Sequence, residues 1–174
     1  MCLQPTIVCG VDGSPRASRA VTFARILSDW LEWRLVLVHV ADVPLIPGAS
    51  AVPGAHDELR ELGLAQGAEL LDAVFDAHDL PESVERRVEI GGRVDMLSAV
   101  CEEEEADLLV VGSHGRGRIA SALLGSVSMR VVPRAPCPVA IVHEGASVSR
   151  ETFGLSPRRA SEVATLALPI GRGA

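Results

Sequence analysis

Five short segments rich in apolar and β-branched residues recur along this chain, with helical stretches between them. That alternation narrows the fold more than any other feature. Thr6 to Val11, Leu35 to Val40, Leu108 to Val111 and Val139 to Val142 are almost continuously apolar, the pattern of strands covered on both faces. Val84 to Ile90 alternates apolar with charged residues, as an edge strand with one wet face does. Such strands, interleaved with helices, predict an α/β protein: an open, doubly wound sheet of five parallel strands with helices on both faces.

Local chemistry marks the helices. After Asp12 and Gly13, Ser14 suits an N-cap and Pro15 the first helical position, with Ala17, Ala20, Val21, Ala24, Leu27 and Leu31 following at helical spacing. Asp57 to His78 returns to that spacing through Leu59, Leu62, Leu70, Leu71, Val74 and Phe75. Gly63 and Gly67 weaken its propensity and are read as permitting close packing. Gly91-Gly92 precedes a helix from about Val94 to Glu104, and a short helix is expected from about Ser126 to Val132. Ala41 to Ala55 is an aperiodic connection of proline, glycine and alanine.

A chain of 174 residues suits one core without metal or disulfide staples. The net charge of -7 argues against nucleic acid as a partner, because that binding needs clustered positive charge. All sixteen basic residues are arginine. The absence of lysine excludes a Schiff base and the lysine of a G-x-x-x-x-G-K-[ST] phosphate loop. Cys2, Cys9, Cys101 and Cys137 lack metal-site spacing, so reduced thiols are expected, with Cys9 and Cys137 buried and inert. No apolar run is long enough to cross a membrane and no basic-then-apolar leader opens the chain, so a cytoplasmic protein without a membrane partner is expected. Residues 1–145 carry -9 and residues 146–174 carry +2. The expected organisation is therefore a folded domain over 1–145 and a tail over 146–174, disordered or forming one short docked helix.

Chemistry concentrates between Val111 and Ser126. Gly112, Gly115 and Gly117 leave the end of a buried strand, and Gly125-Ser126 opens a helix. Glycines let backbone N–H groups approach an anion, and a helix start adds unpaired N–H groups. In open parallel sheets, ligands sit outside the carboxyl ends of the strands. His114 stands between glycines and is read either as touching a phosphate or a metal-bound water or as a solvated loop histidine; Arg116 and Arg118 are read either as forking onto phosphate oxygens or as surface residues serving solubility. Ser113 and Ser126 are candidate autophosphorylation sites, although no positioned base is readable beside either. Asp12, at the end of the first strand, has two readings: a hydrogen-bond acceptor toward a ligand, or a turn former with Gly13. His39 is read as structural, and Glu102 to Glu105 as a solvated face.

Ile7 to Ser18 (IVCGVDGSPRAS), Leu35 to Val40 (LVLVHV), Ala106 to Gly117 (ADLLVVGSHGRG), Leu123 to Val127 (LLGSV) and Ala135 to Val142 (APCPVAIV) resemble blocks of the universal stress protein family. The resemblance covers about residues 5 to 143. The family's ATP-binding subset is marked by G-x2-G-x9-G-[ST], matched here by Gly112, Gly115, Gly125 and Ser126. It implies strand order 3-2-1-4-5 in an adenine nucleotide α-hydrolase-like fold. It also implies that Asp12 and the backbone around Val40 face adenosine, while Gly115, Gly125, Ser126 and Val127 hold the phosphates, with Mg2+ or Mn2+ carried through them. A homodimer through the last strand follows from the same resemblance. The expected role is an ATP-binding regulator of stress adaptation acting on an unknown protein partner. Turnover is expected to be slow or absent; the alternatives are a weak ATPase or autophosphorylating enzyme and a nucleotide-independent interaction module.

Overall fold

The computed structural model describes residues 4–42, 54–113, 126–143 and 146. Along the chain run β1 (Thr6–Val11), α1 (Pro15–Leu31), β2 (Arg34–Ala41), α2 (Ala55–Ala77), β3 (Glu85–Ile90), α3 (Arg93–Glu103), β4 (Leu108–Gly112), α4 (Ser126–Val131) and β5 (Val139–Val142). The strands form one parallel sheet ordered β3-β2-β1-β4-β5. Ile7 stands opposite Leu35 of β2 on one side and Leu108 of β4 on the other, so β1 is the middle strand. The chain winds outward through β2 and β3, then crosses back to β4. The loops leaving β1 and β4 therefore diverge, which creates the switch point where such sheets hold ligands.

Alternate residues of each strand serve opposite faces. On one face Ile7, Cys9, Leu35 and Leu37 cluster with Ala20, Val21 and Ala24 of α1 and Leu71 and Phe75 of α2. On the other, Val8, Val36, Val38 and Leu109 cluster with Val94, Leu97 and Val100 of α3 and Val131 of α4. Ile7, Leu35, Leu37, Leu71 and Leu109 are all fully buried, each worth about 1.5–3 kcal/mol relative to exposure. The small buried residues of α1, Ala17, Ala20 and Ala24, let that helix lie close to the sheet.

The helix ends follow their local chemistry. Ser14 has extended backbone, and its hydroxyl accepts from the Ala17 N–H at 3.1 Å. Pro15 occupies the first turn, where its missing N–H costs nothing. Helix α2 starts two residues earlier than its apolar spacing indicates, after Gly54 at φ +83°. Gly67 does permit close packing: a Cβ there would stand 2.5 Å from Val88 Cγ1 and 3.0 Å from His39 Cδ2.

The acidic run at the end of α3 is more than a solvated face. Glu104 is paired with both Arg34 and Arg87, Glu103 with Arg87, and Arg34 also reaches Glu85 at 2.7 Å. Burial pushes the Glu104 carboxyl up, but hydrogen bonds and charge from Arg34 and Arg87 outweigh this and hold it below the ordinary carboxylate value. Arginines on β2 and β3 thus offset the unfavourable helix-dipole position of these acids. Among the cysteines, Cys9 is fully buried and its thiol is pushed up to about 12 by that burial. Cys137 is only half-buried, so the expectation of burial is met there in part.

Candidate functional site

A narrow hollow opens at the carboxyl ends of β1, β2 and β4. Its walls are Val11, Val38, Val40 and Val111 from the strands and Leu97 from α3; Gly10 and Gly112 leave room between them. Asp12, Arg93 and Ser128 bring polar groups to it. Apolar walls with a few convergent polar groups suit a flat ring with a hydrogen-bonding edge.

Each polar residue is held by local structure. The Asp12 Oδ1 accepts from the Ser14 N–H at 3.0 Å, and Gly13 at φ +72° completes the turn into α1. Asp12 is therefore a turn former, and it also lines the hollow. His39 donates from Nδ1 to the Val11 carbonyl at 2.8 Å, the structural role its place on β2 indicated. This bond braces the ends of β1 and β2 on either side of the hollow.

Gly112 answers a steric demand. A Cβ there would lie 3.1 Å from the backbone C and O of Arg16 and 3.2 Å from the Ala17 N, so glycine lets the first turn of α1 pass over the end of β4. Just beyond it, the Ser113 N–H donates to the Val142 carbonyl at 2.8 Å, and Ser113 itself is buried. Ser128, near the start of α4, donates to the Gly112 carbonyl at 2.7 Å.

Of the residues singled out by sequence, Asp12, Val40, Gly112 and Val127 meet around one hollow. Ser126 is the first residue of α4. His114, Gly115, Arg116, Arg118 and Gly125 lie outside the described residues, as do most of the Ala41 to Ala55 connection and the tail after residue 146. Sequence reasoning passed over Gly10, Arg93 and Ser128. Arg93 carried a signal: it opens α3 directly after the Gly91-Gly92 break, at the strand ends where ligands sit. It is ion-paired with Asp42, the residue following β2.

A second, larger hollow of about 790 Å³ lies on the α1/α2 side and shares Asp12, Val40 and Arg93 with the first. Among the described residues no group of three or more His, Cys, Asp or Glu side chains is placed to hold a metal ion. Among them also, no helix is long and apolar enough to cross a membrane.

An open parallel sheet of this order, hollowed outside its switch point, defines an α/β protein of the adenine nucleotide α-hydrolase-like type. The universal stress protein family model matches residues 5–143, and the chain belongs to that family. It is 39% identical over 146 residues to universal stress protein Rv1636 of Mycobacterium tuberculosis, covering 82% of this chain and 99% of that protein. The structure of universal stress protein UspA from Lactobacillus plantarum aligns with a TM-score of 0.65 at 23% identity, over 82% of this chain and 99% of the other. A universal stress protein solved in complex with cAMP aligns with a TM-score of 0.56 at 32% identity, covering 81% of this chain and 98% of that one.

Proposed function

We propose that this chain is a regulatory nucleotide-binding protein of stress adaptation, holding ATP with its adenosine part in the hollow between β1, β2 and β4. The observation that carries this reading is the set Asp12, Val40, Gly112 and Val127 around one apolar slot at the switch point. An adenine ring would lie between the valine walls, and the Asp12 carboxylate would accept from a ribose hydroxyl. Phosphates would lead toward Gly115, Gly125, Ser126 and Val127, with His114 and Arg116 beside them and Mg2+ or Mn2+ held through the phosphates. The relative solved with cAMP supports an adenine nucleotide in a fold of this kind.

A sensing role is favoured over rapid turnover. Ser128, the one hydroxyl among the described residues lining the slot, gives its proton to the Gly112 carbonyl and is not poised as a nucleophile. Bound nucleotide would bias the Ala41 to Ala55 connection or a surface read by a protein partner in the cytoplasm. The apolar β5 edge, Val139 to Val142, would pair across a two-fold with a second copy. Residues 1–145 would form the nucleotide-binding unit and 146–174 an appended tail.

Calorimetric titration of the full chain with ATP, ADP, AMP and cAMP, with and without magnesium, tests the reading. Saturable ATP binding that is lost in Gly125→Val is expected. No binding of any of them at millimolar concentration would overturn the proposal, and tighter binding of cAMP than of ATP would replace ATP as the ligand.

A further inference from the structure

The larger hollow contains a hydrogen-bonded Ser–His pair that the nucleotide reading does not use. Ser18, in the second turn of α1, has its Oγ 2.8 Å from Nε2 of His78, the C-cap of α2. The other ring nitrogen of His78 lies 3.4 Å from the Thr22 hydroxyl. Thr22 donates its single proton to the Ser18 carbonyl at 3.2 Å, so toward His78 it can only accept. With Thr22 accepting, the proton of the neutral imidazole sits on Nδ1 and the lone pair on Nε2. In that tautomer Ser18 is the donor in its 2.8 Å bond, as a nucleophile is toward its general base. Burial holds the His78 imidazole below its ordinary value, so at neutral pH that lone pair is available.

Both Ser18 and His78 line the hollow of about 790 Å³. Leu70, Val74 and Ala77 of α2 give it an apolar wall, while Asp12, Asp42 and Glu69 make its polar side acidic. Arg93, the arginine among its described lining residues, is already paired with Asp42. Such a surface repels anionic phosphate esters and suits a neutral acyl group.

The geometry points to Ser18 as a catalytic nucleophile, with His78 as its general base, for hydrolysis of small neutral carboxylic esters in the α1/α2 hollow. The Ser18 Oγ forms a bond to the ester carbonyl carbon while its proton passes to His78 Nε2. The bond from carbon to the alcohol oxygen breaks, and His78 returns the proton to the leaving alcohol. Water then attacks the acyl-serine, giving its proton to His78 and finally releasing the carboxylic acid and restoring Ser18. Thr22 is a positioning residue that fixes the tautomer. The activity does not depend on a bound nucleotide.

The test uses the full chain with p-nitrophenyl acetate. A burst of nitrophenolate near one equivalent per chain is expected, with the acetyl group mapped to Ser18 by peptide mass spectrometry. The absence of lysine removes the commonest competing acetylation site. Ser18→Ala should abolish the burst, and His78→Gln should slow acylation by about 10²–10⁴-fold. Thr22→Val should lower kcat with KM unchanged, and Thr22→Ser should restore it. A fluorophosphonate probe on the unmodified protein, in which fluoride leaves as the Ser18 Oγ bonds to phosphorus, should label the same peptide without relying on any variant. No burst, a burst that survives Ser18→Ala, or probe and acetyl mapping elsewhere would overturn the assignment.

Discussion

The hydroxyl of Ser128 donates to the carbonyl of Gly112 at 2.7 Å, tying the first turn of α4 to the last residue of β4. Ser128 is 2% exposed, so water does not readily replace the bond. Ser128→Ala should cost about 0.5–1.5 kcal/mol in urea unfolding, the net worth of an intramolecular hydrogen bond. Because Val127 is carried on the same turn, ATP affinity in calorimetry should fall several-fold. Unchanged affinity with reduced stability would separate the latch from the binding surface.

Gly67 in α2 sets two effects against each other. Alanine in place of a helical glycine gains about 1 kcal/mol of propensity. Its Cβ would however press on Val88, whose branched side chain is stiff, and on the braced ring of His39. Overpacking of this kind costs about 1–3 kcal/mol. Gly67→Ala should therefore destabilise the protein on balance, with a lowered Tm in thermal melts.

Arg93 and Asp42 form an ion pair whose side chains are 46% and 55% exposed, and pairs of that kind contribute about 0–1 kcal/mol. Arg93→Gln should leave chemical denaturation nearly unchanged. A drop in ATP affinity of tenfold or more in the same variant would then report direct contact with the nucleotide, because lost stability could not account for it.

Two groups give stability separate windows of acid sensitivity. The folded His78 value is depressed below 6.5, so the unfolded chain takes up its proton first. Its contribution is present above 6.5 and is lost as pH falls through the folded value. Glu104, depressed below 4.5 through Arg34 and Arg87, contributes above 4.5 and is lost only at lower pH. Urea midpoints measured from pH 7.5 to 3.5 should fall in two stages. His78→Gln should flatten the upper stage and Glu104→Gln the lower.

The strands were legible because burial on both faces leaves a direct trace, a run such as Leu35 to Val40 that tolerates no charge. Ser14 and Pro15 announced the start of α1 by chemistry confined to four residues. The helix ends were less exact: α2 begins at Ala55 because Gly54 adopts a left-handed turn, which apolar spacing does not record. Of the residues around the hollow, Asp12 and Gly112 were singled out by their places at strand ends, and Val40 and Val127 through the resemblance to a known family. Arg93 and Ser128 reach it through the packing of α3 and α4, a property of the assembled layers. The Ser18–His78 contact spans 60 positions and depends on the rotation of α1 relative to α2. No local pattern encodes that angle.

The sheet ends in two unlike borders. On β3 the outermost backbone is flanked by Glu85, Arg86, Arg87 and Glu89, while β5 offers Val139, Ala140, Ile141 and Val142. Charged side chains on an edge strand discourage a foreign strand from joining it. End-to-end growth needs both borders to accept a neighbour, so the charged β3 border works against a ribbon of sheets. The dimer proposed above uses the β5 side, where the same patch would face itself and the assembly would close at two copies.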